Sequence, residues 1–208
     1  MTVLSSPSVR LRRTRLAVTV DPIRDEAQWR AKCLSVVRDG AGLIAVGSVD
    51  TDGVDLAQLL TSARSVAGAS LVAAIDPVDP TTRADVIQLS DPSQCSRWPG
   101  RLVGCAVHGM AEVDQAWNAG CDYVVVDRRD RDAITCLAGT MGHTPSPVWF
   151  VAGCAAVSEV RQALSEGARR LWIDSRVGDQ ARAWSGEIRR VWAEDPAMNG
   201  MRRIEELL

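Results

Sequence analysis

The sequence predicts a (β/α)8 barrel, a closed sheet of eight parallel strands joined by helices or shorter connections. Three observations favour this fold. Apolar strand-like runs alternate with helix-like segments along most of the chain. Two helix-like segments stop at Gly120 and Gly167, and a strand-like run starts within a few residues of each, as in the turns of parallel α/β proteins. The strand-like runs are almost continuously apolar, which indicates a sheet covered on both faces.

Each strand is predicted where a short apolar run lies between turn residues. The predicted strands are 16–20, 43–46, 70–75, 85–89, 102–107, 122–126, 148–152 and 170–173. The predicted helices are 25–38, 54–66, 110–119, 130–138, 157–166 and about 178–192. The segment 76–84 is short and contains Pro77 and Pro80, so we expect a shortened third and fourth helix region.

About eight strand–helix units in one chain favour a closed barrel over a doubly wound open sheet, which is the alternative fold. No GxGxxG motif follows any strand, so the usual signal for dinucleotide binding is missing. We expect a single barrel domain at 16–193. A basic, solvated tail is expected at 1–15, and a C-terminal helix or tail at 194–208.

The composition is that of an ordinary folded protein and excludes several partners. The chain has 208 residues, 46% of them hydrophobic, and a formal net charge of −2. That charge supplies no basic field for nucleic acid or an anionic membrane, and no run approaches the length of a membrane span. The six cysteines lack CxxC or metal-ligand spacing, so we expect reduced thiols and a cytoplasmic protein.

Several stretches resemble the thiamine-phosphate synthase/TenI family. The first runs from Val103 to Tyr123 and is similar to that family's G-x-S-x-H strand end, which is followed by a helix and a GADY turn. The second runs from Pro147 to Ser175 and is similar to its P-x-x-A-I-G-G-I … G-A … V-V-S ending. Two weaker matches are the segments 84–89 and 16–21. No single motif is strong, but their order and spacing extend the resemblance over 16–177.

This sequence departs from the family where the resemblance implies catalysis. The family's Q-x-R-x-K, which grips a pyrophosphate, is replaced by residues 45–50, which contain no basic residue. Ser93 takes the position of an acidic metal ligand, and Ala106 takes that of the family's serine. Asp127 stands where the TenI branch has a histidine. The resemblance therefore implies transferase or tautomerase chemistry from which most of the catalytic residues are missing.

The candidate site lies at the carboxyl ends of the predicted strands, where barrel enzymes place their chemistry. His108 is the candidate acid–base residue. Candidate ligands for a phosphate group are Gly153 and Ser175, through backbone N–H groups after strands seven and eight, and Arg176 and Arg128, through their charge. Asp76 and Asp91 are the weak candidates for binding Mg²⁺.

The sequence leaves three functions open. The first is a thiamine-biosynthesis protein that binds a phosphorylated thiazole or thiamine phosphate, with a degraded pyrophosphate and Mg²⁺ site. The second is an inactive pseudoenzyme that acts through ligand or protein binding. The third is another phosphosugar- or indole-type barrel enzyme. Lysine-dependent aldol chemistry is excluded, because Lys32, the only lysine in the sequence, is on a predicted helix. Relatives of this family form homo-oligomers, so the resemblance also implies self-association.

Overall fold

The computed structural model describes residues 6–47, 55–77, 79, 81–140, 147–174 and 180–195. The strands are β1 (Leu16–Val20), β2 (Leu43–Val46), β3 (Leu71–Ile75), β4 (Val86–Leu89), β5 (Leu102–Val107), β6 (Tyr123–Asp127), β7 (Val148–Ala152) and β8 (Leu171–Ile173). The helices are α1 (Pro7–Arg13), α2 (Glu26–Arg38), α3 (Leu56–Ala67), α4 (Met110–Asn118), α5 (Arg131–Gly139), α6 (Val157–Ser165) and α7 (Ala181–Glu194).

The eight strands close into a parallel barrel in sequence order, which confirms the predicted (β/α)8 fold. Closure is made by β1, which pairs with β2 on one side and with β8 on the other. The shortened region is also present. The described residues between β3 and β4 form no helix, and a six-residue 3₁₀ helix (Pro92–Arg97) stands between β4 and β5.

The barrel interior is filled asymmetrically. Strands β6, β7 and β8 each send one aromatic side chain inwards, namely Tyr123, Phe150 and Trp172. The Tyr123 ring stacks on Trp172 at a centroid distance of 6.3 Å and meets Phe150 edge-on at 5.6 Å. The facing strands contribute several alanines to this interior, together with Leu43 and Leu71. On β5, next to β6, a Cβ on Gly104 would overlap the Tyr123 ring, so that ring fits because position 104 has no side chain.

The segment before β1, which the sequence predicted as a solvated tail, contains a short helix in the residues that the structure describes. Pro7–Arg13 forms α1, in which Leu11 is only 2% exposed and packs against the interior residues at the amino end of the barrel. The Arg10 guanidinium donates hydrogen bonds to the carbonyls of Ala69 (2.8 Å) and Ser70 (2.5 Å), just before β3. The open lower end of a barrel exposes apolar side chains, and α1 covers it.

The helix ends agree with the prediction from the sequence, and an ion pair joins the segment after α7 to the residues before β8. Helices α4 and α6 end just before Gly120 and Gly167, as expected. After α7, the Asp195 carboxylate accepts a hydrogen bond from Arg169 at 2.5 Å, and residues 196–208 of the predicted C-terminal segment lie outside the described residues. Within the described residues, none of the helices has the length and apolar character needed to cross a membrane.

Candidate functional site

The parallel strands bring their polar terminal residues to one end of the barrel. Asp76 follows β3, His108 follows β5, Asp127 ends β6 and Gly153 follows β7. Ser175 and Arg176 lie outside the described residues, so their roles in binding phosphate stay predictions.

Asp76 joins the ends of β3 and β4. Its carboxylate accepts the backbone N–H of Ser90 at 2.7 Å and the Ser90 hydroxyl at 2.5 Å, while its own N–H donates to the Gln88 carbonyl at 2.8 Å. The backbone of Asp76 has a φ of 42°, in the left-handed region that costs energy for a side-chain-bearing residue. These hydrogen bonds hold that conformation in place, so the carboxylate has a structural task in this loop.

Asp91 caps the 3₁₀ helix. Its carboxylate accepts hydrogen bonds from the Ser93 N–H (2.9 Å) and the Ser93 hydroxyl (2.7 Å). The Ser93 hydroxyl, followed by its N–H, lowers the pKa of Asp91 below the usual range. Both candidate Mg²⁺ ligands are therefore occupied by local serines, and no group of three or more metal-ligating side chains occurs in the described part of the chain. The described residues therefore form no assembled Mg²⁺ site, and the binding of Mg²⁺ stays a prediction.

His108 is exposed at the end of β5. Its backbone N–H donates to Glu112 Oε2 at 2.7 Å, but among the described residues its imidazole has no hydrogen-bond partner. A general base is normally oriented by a second group on its other ring nitrogen. The His108 ring is thus accessible to a ligand and is not held in a catalytic orientation by its described neighbours.

Arg128 is tied to the loop that follows β7. Its Nε donates to the Gly153 carbonyl at 3.0 Å, and its NH2 group lies 2.6 Å from Glu159 Oε1. Its backbone N–H also donates to the Ala152 carbonyl at 2.9 Å. The guanidinium predicted to grip a phosphate is therefore already paired with a carboxylate of the same chain.

Glu159 occupies the start of α6. Its Oε2 accepts the N–H of Ala155 at 2.6 Å, while Oε1 pairs with Arg128. The pKa of Glu159 lies below its usual range, mainly because of the hydrogen bond from the Ala155 N–H and then because of the Arg128 charge. Gly153 adds to this picture, because a Cβ there would lie 3.1 Å from Asp127 Oδ2. Two carboxylates, those of Asp127 and Glu159, thus lie beside the loop after strand seven, where a phosphate would bind.

Sequence reasoning missed Glu159 and Glu112, although a signal for both was available. Each is the third residue of its helix, and its carboxylate accepts a backbone N–H from just before that helix. Glu159 accepts from Ala155, and Glu112 accepts from His108. A glutamate at this position is the acidic half of a capping box. The predicted backbone donors for a phosphate were Gly153 and Ser175, whereas the two caps use the N–H groups of Ala155 and His108.

A mixed-charge cleft of about 230 Å³ opens beside this arrangement, between the β6–α5 loop and α6. It is lined by Arg128, Arg129, Arg131, Glu159, Gln162, Ala163 and Glu166. Arg131 Nε is 3.7 Å from Glu166 Oε1, which is a weak pairing for an exposed pair. The three guanidinium groups face two carboxylates from the same chain, so the cleft is partly neutralised from within.

The lowered pKa of Glu159 predicts a pH-dependent contribution to stability. Because the folded pKa lies below the usual value of 4.5, its contribution is present above that value and is lost as the pH falls through the folded pKa. Glu159→Gln should therefore destabilise the protein at neutral pH and make no difference at strongly acidic pH, in urea unfolding. Glu166→Gln is the control, because it removes a charge from the same cleft without removing a helix cap. An equal loss at both pH values would contradict this interpretation.

No protein-family model and no curated protein matches the chain, whereas many solved structures do. A designed, cube-shaped, highly porous protein cage made by fusing symmetric oligomeric domains has a TM-score of 0.68 at 14% identity, over 93% of this chain and 79% of that one. Thiamine phosphate pyrophosphorylase from Pyrococcus furiosus has a TM-score of 0.67 at 16% identity, over 88% and 96% of the two chains. A native KDPGal structure gives 0.67 at 15%, over 85% and 95%. At these identities the comparisons establish a shared (β/α)8 barrel fold.

Proposed function

We propose that this chain is a non-catalytic (β/α)8-barrel protein that acts by binding, a pseudoenzyme in which the phosphate-gripping end of the barrel is closed from within. One observation carries this proposal. Glu159 accepts the Ala155 N–H at the start of α6 and pairs with Arg128, so a carboxylate of the chain occupies a helix-start donor and the guanidinium predicted to bind a phosphate. Backbone N–H groups at a helix start and a nearby guanidinium are the parts from which barrels build anion sites.

The candidate metal ligands and the candidate acid–base residue are consistent with a loss of turnover. Asp76 and Asp91 are held by serine hydroxyls in local loops, and the His108 imidazole lacks an orienting partner among the described residues. Efficient acid–base catalysis needs a side chain placed within hydrogen-bond reach of the reacting proton. A barrel whose carboxylates cap its own loops keeps the fold but no longer has side chains positioned for catalysis.

A second candidate function is the binding of a phosphorylated thiazole or thiamine phosphate. Two observations favour it. The chain shares its fold with the Pyrococcus furiosus thiamine phosphate pyrophosphorylase along nearly its full length, and His108 is exposed at the ligand-binding end of the barrel. In this candidate Ser175 and Arg176 hold the phosphate group, with Mg²⁺ as an added ion. These assignments follow the resemblance of the sequence.

A thermal-shift panel on the wild-type chain separates the two candidates. The ligands are thiamine phosphate, the phosphorylated thiazole, pyrophosphate with Mg²⁺, and inorganic phosphate. A ligand that binds only the folded state stabilises it by about 2.7 kcal/mol at a hundredfold excess over its Kd. We expect no dose-dependent shift with any of the four. A shift with the phosphorylated thiazole that Arg176→Ala removes would contradict the first candidate and support the second.

A further inference from the structure

Three cysteines that are distant in sequence come together on the outer side of β5. Cys95 belongs to the 3₁₀ helix, Cys105 to β5, and Cys121 to the turn between α4 and β6. All three are free thiols buried in the apolar layer between barrel and helices. Burial first, and then the neighbouring thiols of Cys95 and Cys105, raise the pKa of Cys121, which places the three side chains near one another. The sequence spacing gave no sign of this cluster.

Cys95 and Cys121 each follow, in the sequence, a residue that lines one of the two walls of a surface groove. The groove has a volume of about 630 Å³ and separates the start of the 3₁₀ helix from the end of α4. Cys95 is two residues beyond the wall residue Ser93, and Cys121 is two residues beyond the wall residue Ala119. The 3₁₀ helix packs directly against α4. A covalent bond between these two sulfurs would join the walls.

Strand register makes Cys105 an unsuitable partner for Cys121. Cys105 pairs with Val124 across β5 and β6. Cys121 comes three residues before Val124, so its Cα lies roughly 10 Å from the level of Cys105 at the usual rise of a strand. A disulfide requires Cα atoms within about 7 Å. Cys105 is also fixed by strands on both sides, and its Sγ donates to the Ala106 carbonyl at 3.3 Å. Cys95, on a short surface helix, has the freedom to approach Cys121.

We propose that Cys95 and Cys121 form an intramolecular disulfide when the protein meets a low-molecular-weight disulfide such as oxidised glutathione. The Cys95 thiolate attacks one sulfur of the oxidant, which forms a mixed disulfide and releases one glutathione thiol. The Cys121 thiolate then attacks the Cys95 sulfur and releases the second glutathione. Two electrons pass from the protein sulfurs to the oxidant, and the two protons end on the glutathione thiols.

Burial sets the rate of this reaction. It raises the pKa of Cys121 to about 12, and that of Cys105 to about 12, so thiolate is scarce while the structure is closed. The reaction therefore proceeds from states in which the 3₁₀ helix has opened. This helix is only six residues long, and three of its residues are exposed. Short surface segments of this kind open far more often than the barrel itself.

The test uses the full-length chain with Cys136→Ser, which removes the cysteine that is exposed in the described part of the chain. The protein is equilibrated with oxidised and reduced glutathione without denaturant, remaining thiols are alkylated, and unreduced peptides are mapped by mass spectrometry. We expect a Cys95–Cys121 peptide that forms faster at alkaline than at neutral pH. The Tm should rise by roughly 5–10 °C, because the new bond restricts the unfolded chain.

Matched variants distinguish this disulfide from its alternatives. Cys95→Ser and Cys121→Ser should each abolish the intramolecular bond, whereas Cys105→Ala should leave it. A bond mapped to Cys95 and Cys105, or only mixed disulfides with glutathione, would overturn the proposal. A chain that keeps all its buried thiols reduced in oxidised glutathione, yet is oxidised once unfolded in urea, would overturn it as well. The mapping of the Cys136→Ser protein decides the matter even if a further variant fails to fold.

Discussion

Gly104→Ala should destabilise the protein by roughly 3 kcal/mol, at the upper end of the usual cost of overpacking a core. The added Cβ would overlap the ring of Tyr123, which is fully buried. That ring cannot move aside without disturbing its stacked contact with Trp172 and its edge contact with Phe150. Urea unfolding at neutral pH measures the change.

Gly186→Ala is the matched control for this substitution. Gly186 lies within α7, is exposed, and has no atoms within 4 Å of an added Cβ. The same change there should be neutral or should stabilise the helix by about 0.5–1 kcal/mol. If the two variants unfold at the same urea concentration, the asymmetric filling of the barrel is wrong.

Leu11→Ala should cost about 2–5 kcal/mol, the usual range for truncating a buried leucine. Leu11 is 2% exposed and is the residue of α1 that packs into the interior cluster at the amino end of the barrel. Its loss would leave a cavity beside Leu43 and Leu71, which belong to that cluster. Thermal or urea unfolding tests the change directly.

Ser8→Ala is the control for the cover made by α1, because Ser8 is exposed on the same helix. It should leave stability within about 0.5 kcal/mol of the wild type. A large loss in Leu11→Ala with none in Ser8→Ala identifies α1 as part of the folded barrel. If neither substitution lowers the free energy of unfolding measurably, residues 6–13 are the solvated tail that the sequence suggested.

The barrel could be predicted from the sequence because its signal is repeated eight times. Each strand is an apolar run with a turn before it, and the proline-broken segment after Ile75 correctly indicated that the described residues there form no helix. The helix α1 was missed for the opposite reason. A seven-residue helix with one buried leucine among several arginines carries almost no periodic signal, and its burial depends on the open end of a barrel formed later in the chain.

The candidate site was predictable in position but less so in role. The strand order placed Asp76, His108, Asp127 and Gly153 at one end of the barrel. Whether a carboxylate there binds a ligand or caps a loop depends on donors within 3 Å, and the sequence does not contain those distances. Asp91 is an exception, because its partner Ser93 lies only two residues later and could have been recognised as an Asx-type cap.

The most direct test of a barrel end closed from within is a calorimetric titration of inorganic phosphate into the wild-type chain, Glu159→Gln and Glu166→Gln. Glu159→Gln releases Arg128 and leaves the start of α6 without its carboxylate, whereas Glu166→Gln removes a charge from the same cleft and leaves the cap intact. We predict phosphate binding in Glu159→Gln alone. Equal binding by the wild-type chain, or none by Glu159→Gln when it is folded, would contradict the account.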